Sequence, residues 1–188
     1  MNELININDI KNGMTVFYNG NICQVQSFLH VKPGKGAAIM KVKMRNLKTG
    51  TITEESINSN VKIEKAHVDK KKMAYLYDTG SAYVFMDNET YEQIEITPDK
   101  LGDALKYLKE NLEVQIDFYE GDIIGVTLPE KIEYEIVETT DAVKGNTTTN
   151  ATKDATLDNG LVVRVPLFIN QGERIIITTE DGKYSSRA

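Results

Sequence analysis

"HVKPGKGAAIMKVKMRN" occupies residues 30–46. Its second half alternates: Met40, Val42 and Met44 interleave with Lys41, Lys43 and Arg45. A strand sends successive side chains to opposite faces, so this period of two predicts one buried face and one cationic face. Its first half is a turn. Pro33 stiffens the approach by fixing φ. Gly34 and Gly36 allow positive φ and leave Lys35 without shielding neighbours, and Ala37 and Ala38 keep the adjacent surface small. Upstream, residues 22–31 are rich in β-branched and aromatic side chains. The whole stretch therefore reads as a hairpin with Lys35 at its tip. A lone Pro-Gly-Lys-Gly turn would be an ordinary solubilising hairpin. Here Lys32 and the stripe Lys41, Lys43 and Arg45 surround it, and an exposed, cation-flanked lysine at a narrow apex can enter a crevice lined by phosphates.

The charge of the chain supports that reading. The net charge is −6, yet residues 1–64 carry 8 cations against 5 acids. Residues 65–128 carry 7 against 13, and residues 129–188 carry 7 against 10. No acid lies between Asp9 and Glu54, where Lys11, Lys32, Lys35, Lys41, Lys43, Arg45 and Lys48 all fall. One basic patch in an otherwise acidic chain points to a polyanionic partner met through that patch.

Strand signals dominate the rest. Residues 14–18 and 22–31 flank Asn19-Gly20, a strong hairpin turn. With residues 51–56 they predict a small, strongly bent barrel over residues 1–64, near the lower size at which a domain folds alone. Residues 65–128 show strands at 73–77, 83–86 and 91–96, then one helix, then strands at 114–119 and 123–128. Thr97 is the expected N-cap, Pro98 suits the first helical position, and Asp99 suits the positive end of the dipole. Leu101, Leu105 and Leu108 would share its buried face. Three strands, a helix and two strands is the order of an OB-fold. Residues 129–188 add strands at 132–139, 155–157, 161–165 and 175–179, with a long polar loop from Asp141 to Thr152 of the kind that is functional or disordered. No residue-level repeat relates these parts.

Several function classes are excluded. Two histidines, His30 and His67, and one cysteine, Cys23, offer no metal-ligand spacing. The motifs of P-loop, α/β-hydrolase and dinucleotide-binding proteins are absent. We therefore expect a non-enzyme without cofactor or metal. No basic segment leads into an apolar stretch near the start, and no apolar run approaches a membrane span of about 20 residues, so the expected setting is cytoplasmic. Cys23 lies in the strand-like ICQV and reads as a small packed residue. Two readings remain for the patch. One is a factor that meets a polyanion through this single patch; the other is a general OB-fold binder of single-stranded nucleic acid. The second needs aromatic stacking platforms beside basic grooves, whereas the tyrosines of residues 65–128 lie among acids. A structural ribosomal protein would be basic throughout, which a pI near 5.1 does not fit.

The sequence resembles bacterial translation elongation factor P along its whole length. "HVKPGKGAA" looks like that family's modified-lysine loop. "YLYDTGSAYVFMDNETYEQ" (residues 75–93) looks like its second domain. "KDATLDNGLVVRVPLFINQG" (residues 153–172) fits its C-terminal signature at Lys153, Ala155, Gly160, Val163, Val165, Pro166, Ile169 and Gly172. The resemblance implies an all-β fold of three consecutive small β-barrels. An SH3-like, KOW-type barrel (1–64) would precede two OB-fold barrels (65–128 and 129–188), in an L-shaped outline like that of tRNA. It implies a monomer that binds the 70S ribosome beside the P-site peptidyl-tRNA, between the peptidyl and exit sites, and relieves stalling at consecutive prolines. Lys35, extended by a lysine-modifying enzyme, would reach toward the peptidyl-transferase centre. Lys32, Pro33, Gly34, Gly36, Lys41, Lys43 and Arg45 would contact tRNA and ribosomal RNA. The family's third-domain loop contacts the exit-site codon through Gly-Asp-Thr. This chain has Gly145, Asn146 and Thr147 there, and Asn150 where glycine is common. Asn146 keeps an acceptor oxygen, adds a donor and loses the charge.

Overall fold

The alternation of residues 40–45 becomes a strand paired on both sides. The computed structural model describes residues 2–141 and 151–188. In it β1 (Glu3–Asn6), β2 (Thr15–Tyr18), β3 (Asn21–Val31), β4 (Ile39–Asn46), β5 (Ile52–Asn58) and β6 (Lys62–Lys65) form a sheet of order β1-β6-β2-β3-β4-β5. Met40, Val42 and Met44 enter its core with Ile7, Ile10, Val16, Val25, Ile57 and Ile63, while Lys41, Lys43 and Arg45 are exposed. Asn19 and Gly20 both take positive φ, 48° and 77°. That is the tight turn whose twist suits two antiparallel strands, and it sets the pairing of Tyr18 with Asn21.

Two more five-stranded sheets follow. One contains β7 (Asp69–Asp78), β8 (Tyr83–Asp87), β9 (Gln93–Ile96), β10 (Glu113–Tyr119) and β11 (Asp122–Thr127), in the order β11-β10-β7-β8-β9. The other contains β12 (Lys131–Thr139), β13 (Thr152–Leu157), β14 (Val162–Pro166), β15 (Arg174–Thr178) and β16 (Lys183–Arg187), in the order β14-β13-β12-β15-β16. Counted along the chain, both orders are 3-2-1-4-5. Each first strand also carries one extra residue: Leu76 between the pairs Tyr75–Phe85 and Tyr77–Val84, and Val137 between Ile136–Leu157 and Glu138–Thr156. A bulge bends a strand and increases its twist, as a small barrel requires. The likeness of the two sheets thus lies in topology and bulge position, which no residue-level repeat reveals.

The chain divides into two compact units, Met1–Lys70 with Asp117–Gly125, and Lys71–Ile116 with Val126–Ala188. In the first, the Asn2 side chain donates to Glu64 at 2.7 Å and to the Tyr119 hydroxyl at 2.8 Å. In the second, the expected helix is shorter and tighter than its sequence pattern. An α-turn, Pro98–Leu101, runs into a 3-10 segment, Gly102–Tyr107. Leu101, Ala104 and Tyr107 are buried at spacing three, as 3-10 geometry dictates, and Leu105 is only half-buried. Thr97 holds the N-cap position with extended backbone but makes no cap hydrogen bond. A hydrogen bond from its side chain is instead the main cause that holds the Asp99 carboxyl below its ordinary range.

The end of that 3-10 segment is where the unit closes. Three successive carbonyls are captured by the last sheet. The Tyr134 hydroxyl donates to the Tyr107 carbonyl at 2.5 Å, and the Asn159 amide donates to those of Lys106 and Leu108 at 2.9 and 3.3 Å. Lys109 lies 5.1 Å from the Tyr134 ring centroid and donates to the Glu133 carbonyl. Burial first, then the Asp158 charge, pushes the Tyr134 hydroxyl far above its usual titration range, so it stays a donor. Tyr134→Phe leaves a buried carbonyl unpaired and should lower the unfolding free energy by about 1–3 kcal/mol, read by urea denaturation. An unchanged midpoint would show that this carbonyl does not depend on Tyr134.

Candidate nucleic-acid interface

The site is built on the longest strand pairing of the first unit. β3 and β4 run antiparallel from Cys23–Asn46 to Val31–Ile39, and residues 32–38 cross between them. A bulge interrupts this ladder too: Val25 opposes Met44 and Ser27 opposes Lys43, leaving Gln26 extra. Beyond the bulge β3 leaves the core. Residues 26–30 are all exposed, while their partners Met40 and Val42 remain buried.

The tip is bare. Residues 32–37 are exposed, and Ala38 is half-buried. Among the described residues, no backbone group of residues 32–37 makes a hydrogen bond beyond the strand ladder. The Ala38 carbonyl accepts from the Ser59 N–H at 2.9 Å, which ties the base of the loop to the turn after β5. Of the two glycines around Lys35, only Gly36 takes positive φ, +130°. Gly34 lies outside the left-handed region, and a Cβ there would meet nothing within 4 Å. Nothing within the described residues therefore requires a glycine at Gly34, whereas Gly36 serves by conformation.

The cations form the outward face of the same sheet. Across the ladders Lys41 sits between Leu29 and Ser56, Lys43 between Ser27 and Glu54, and Arg45 between Gln24 and Ile52. Among the described residues, Lys32, Lys35, Lys41, Lys43 and Arg45 make no salt bridge. This face thus offers cations to an outside anion without first breaking an internal pair. Cys23 is buried behind it, and burial, then the Glu55 charge, pushes its thiol upward, so it is a packed residue and not a reactive one.

The sequence-read residues Lys32, Pro33, Gly34, Lys35, Gly36, Lys41, Lys43 and Arg45 therefore sit on one hairpin. Gly145, Asn146 and Thr147, and Asn150 with them, lie outside the described residues. Reading the strand signal alone missed the exposure of Phe28, Leu29 and His30. The sequence of residues 22–31 looks uniformly strand-like, and nothing in it marks where the core ends. Among the described residues no His, Cys, Asp and Glu side chains gather as a metal site, and no helix is long and apolar enough to cross a membrane.

Three sequence models of one family match the chain in succession. The elongation factor P KOW-like domain matches residues 6–63, the elongation factor P OB domain residues 68–126, and the elongation factor P C-terminal domain residues 132–187. The chain belongs to the elongation factor P family. Its sheets are the barrels of a KOW-like domain and OB folds, and it is built from the domains of a translation factor. Among solved structures it is similar to a eukaryotic translation initiation factor 5A from Methanococcus jannaschii, at 25% identity and a TM-score of 0.53. That match covers 66% of this chain and 96% of the other. A translation initiation factor eIF-5A family protein from Naegleria fowleri shares the fold at 15% identity and a TM-score of 0.50, over 68% and 99% of the two chains.

Changing Lys41, Lys43 and Arg45 together to Ala should weaken ribosome binding and lower the slope of log affinity against log salt by roughly 2–3, at about 0.7–0.9 per phosphate contact. The melting temperature should hold, since all three point away from the core. An unchanged slope would make the stripe a solvated face only.

Proposed function

We propose that this chain is a translation elongation factor that binds the 70S ribosome beside the P-site peptidyl-tRNA and promotes peptide-bond formation at consecutive prolines. One observation carries the reading: Lys35 stands at the apex of a long hairpin, exposed, with no salt bridge among the described residues, above a face of unpaired cations. Its primary amine can be acylated or alkylated by a lysine-modifying enzyme, and the extended side chain would reach past the loop. The phosphates of tRNA and ribosomal RNA are the complement of Lys32, Lys41, Lys43 and Arg45. The acidity of the remaining two thirds of the chain limits indiscriminate RNA binding. The setting that follows is the cytoplasm.

The chemistry belongs to the ribosome in this reading, and the factor contributes position. Proline attacks through a constrained secondary amine, so the peptidyl ester must be held in reactive geometry for longer. Orienting two reactants removes an entropic part of the barrier, worth up to ~7–11 kcal/mol in ideal intramolecular systems. A hairpin paired along both strands and ending in one reaching amine is suited to that task. The third-domain loop with Gly145, Asn146 and Thr147 would contact the exit-site codon, adding a second anchor.

Lys35→Arg tests the reading. It keeps a positive charge but replaces a compact, modifiable amine with a planar guanidinium. Stability should stay within about 0.5 kcal/mol, as for an exposed loop position. Translation of a reporter with three consecutive prolines should fall to the level without the factor, and a proline-free reporter should be unaffected. Full rescue by the Arg variant would reduce Lys35 to a simple phosphate contact.

A further inference from the structure

We propose that Phe28 and His30 clamp one unpaired nucleobase of RNA that passes around the open β3 edge of the hairpin from the cations on its other face. The inference rests on the ribosome-binding reading and adds a base contact to its phosphate contacts.

The bulge at Gln26 decides which way both rings face. With Gln26 extra, β3 shifts by one residue against β4, so that Phe28 opposes Val42 and His30 opposes Met40. Both would then face the core side. The core does not extend under them: Phe28 is 41% exposed and His30 is exposed, while Val42 and Met40 are at 0% and 2%. Among the described residues, neither ring takes part in an aromatic or cation–π contact, and the His30 ring makes no hydrogen bond or ion pair. Two unsaturated rings thus stand without an aromatic or cationic partner among the described residues, on the face of β3 opposite Lys41, Lys43 and Arg45 and immediately before Lys32 and the tip.

Their spacing suits a base. Residues i and i+2 of a strand lie about 6.8 Å apart, at ~3.4 Å per residue. A nucleobase stacked between two rings needs about that separation. Stacking tolerates any base, because every base has a π-face. Position-reading cations and an aromatic clamp divide the work between them: the cations give salt-dependent attraction, and the rings give a salt-independent contact with a nucleotide that is not paired. A duplex cannot supply that nucleotide, so the partner is a single-stranded RNA end or a flipped-out base, from tRNA or from ribosomal RNA.

The test uses the full chain with two probes, vacant 70S ribosomes and 70S ribosomes carrying a P-site tRNA, titrated at several salt concentrations. Phe28→Leu and His30→Ala should each weaken binding roughly five- to a hundred-fold, the range for one stacked base. The salt slope should match wild type, the melting temperature should hold, and Phe28→Tyr should restore affinity. Loss confined to tRNA-loaded ribosomes assigns the base to tRNA, and equal loss on both probes assigns it to ribosomal RNA. Wild-type affinity in both variants overturns the clamp. So does a loss that comes with a flatter salt slope, with a lowered melting temperature, or without rescue by Phe28→Tyr. If the unaltered chain binds neither probe, the ribosome reading itself falls and takes the clamp with it.

Discussion

The pairing of β4 with β3 and β5 is the constraint on which the functional surface depends. Burying Met40, Val42 and Met44 contributes roughly 1.5–3 kcal/mol each, and the three can be buried only in one register. A slip of one residue would turn them to solvent and drive Lys41, Lys43 and Arg45 into the core, where unpaired charge is far too costly. The same burial that stabilises the first unit therefore fixes where its cations point. Lys35 inherits its position from this: the ladder holds both ends of residues 32–38, and the Ala38–Ser59 hydrogen bond ties down the base.

The second unit answers a different demand, a fixed seat for its 3-10 segment against the last sheet. A 3-10 segment ends with orphan carbonyls, and here three in succession are filled by Tyr134 and Asn159 from the following sheet. Such bonds are directional where burial is not, so they specify one docking arrangement within the unit. The shared 3-2-1-4-5 order and the matching bulges at Leu76 and Val137 show one barrel plan used twice with different side chains. A factor that acts by holding a substrate in place needs elements of this kind, because slack in the scaffold returns entropy to the reacting groups.

Much of this was legible in the sequence where a pattern has one physical cause. Alternation at residues 40–45 has a single solution, and Asn19-Gly20 has one favoured turn. Short edge strands were not legible. β1 and β16 carry Glu3, Asn6, Ser185 and Ser186, because an edge faces water and needs no apolar alternation. The helix misled for a related reason. Leu101, Leu105 and Leu108 fit a period of 3.6, and Leu101 and Leu108 are buried, but Ala104 and Tyr107 are buried in place of Leu105, and Ala carries little signal in either pattern. In the loop, the two glycines look alike in sequence and differ in conformation: Gly36 takes a positive φ, and Gly34 has a backbone and open space that admit a side chain. The clamp residues Phe28 and His30 escaped notice because a bulge, invisible in composition, decides where β3 leaves the core.

The central claim is that the tip of this hairpin works at the end of the peptidyl-tRNA. Gly34 provides a direct measurement, since a side chain there meets nothing and needs no left-handed backbone. A photoreactive residue at position 34, next to an intact Lys35, would be irradiated on ribosomes stalled at consecutive prolines. The account predicts cross-links to the 3′-terminal nucleotides of the peptidyl-tRNA, lost when Lys41, Lys43 and Arg45 are changed to Ala. Cross-links confined to ribosomal proteins, or to RNA remote from the peptidyl-transferase centre, would contradict it.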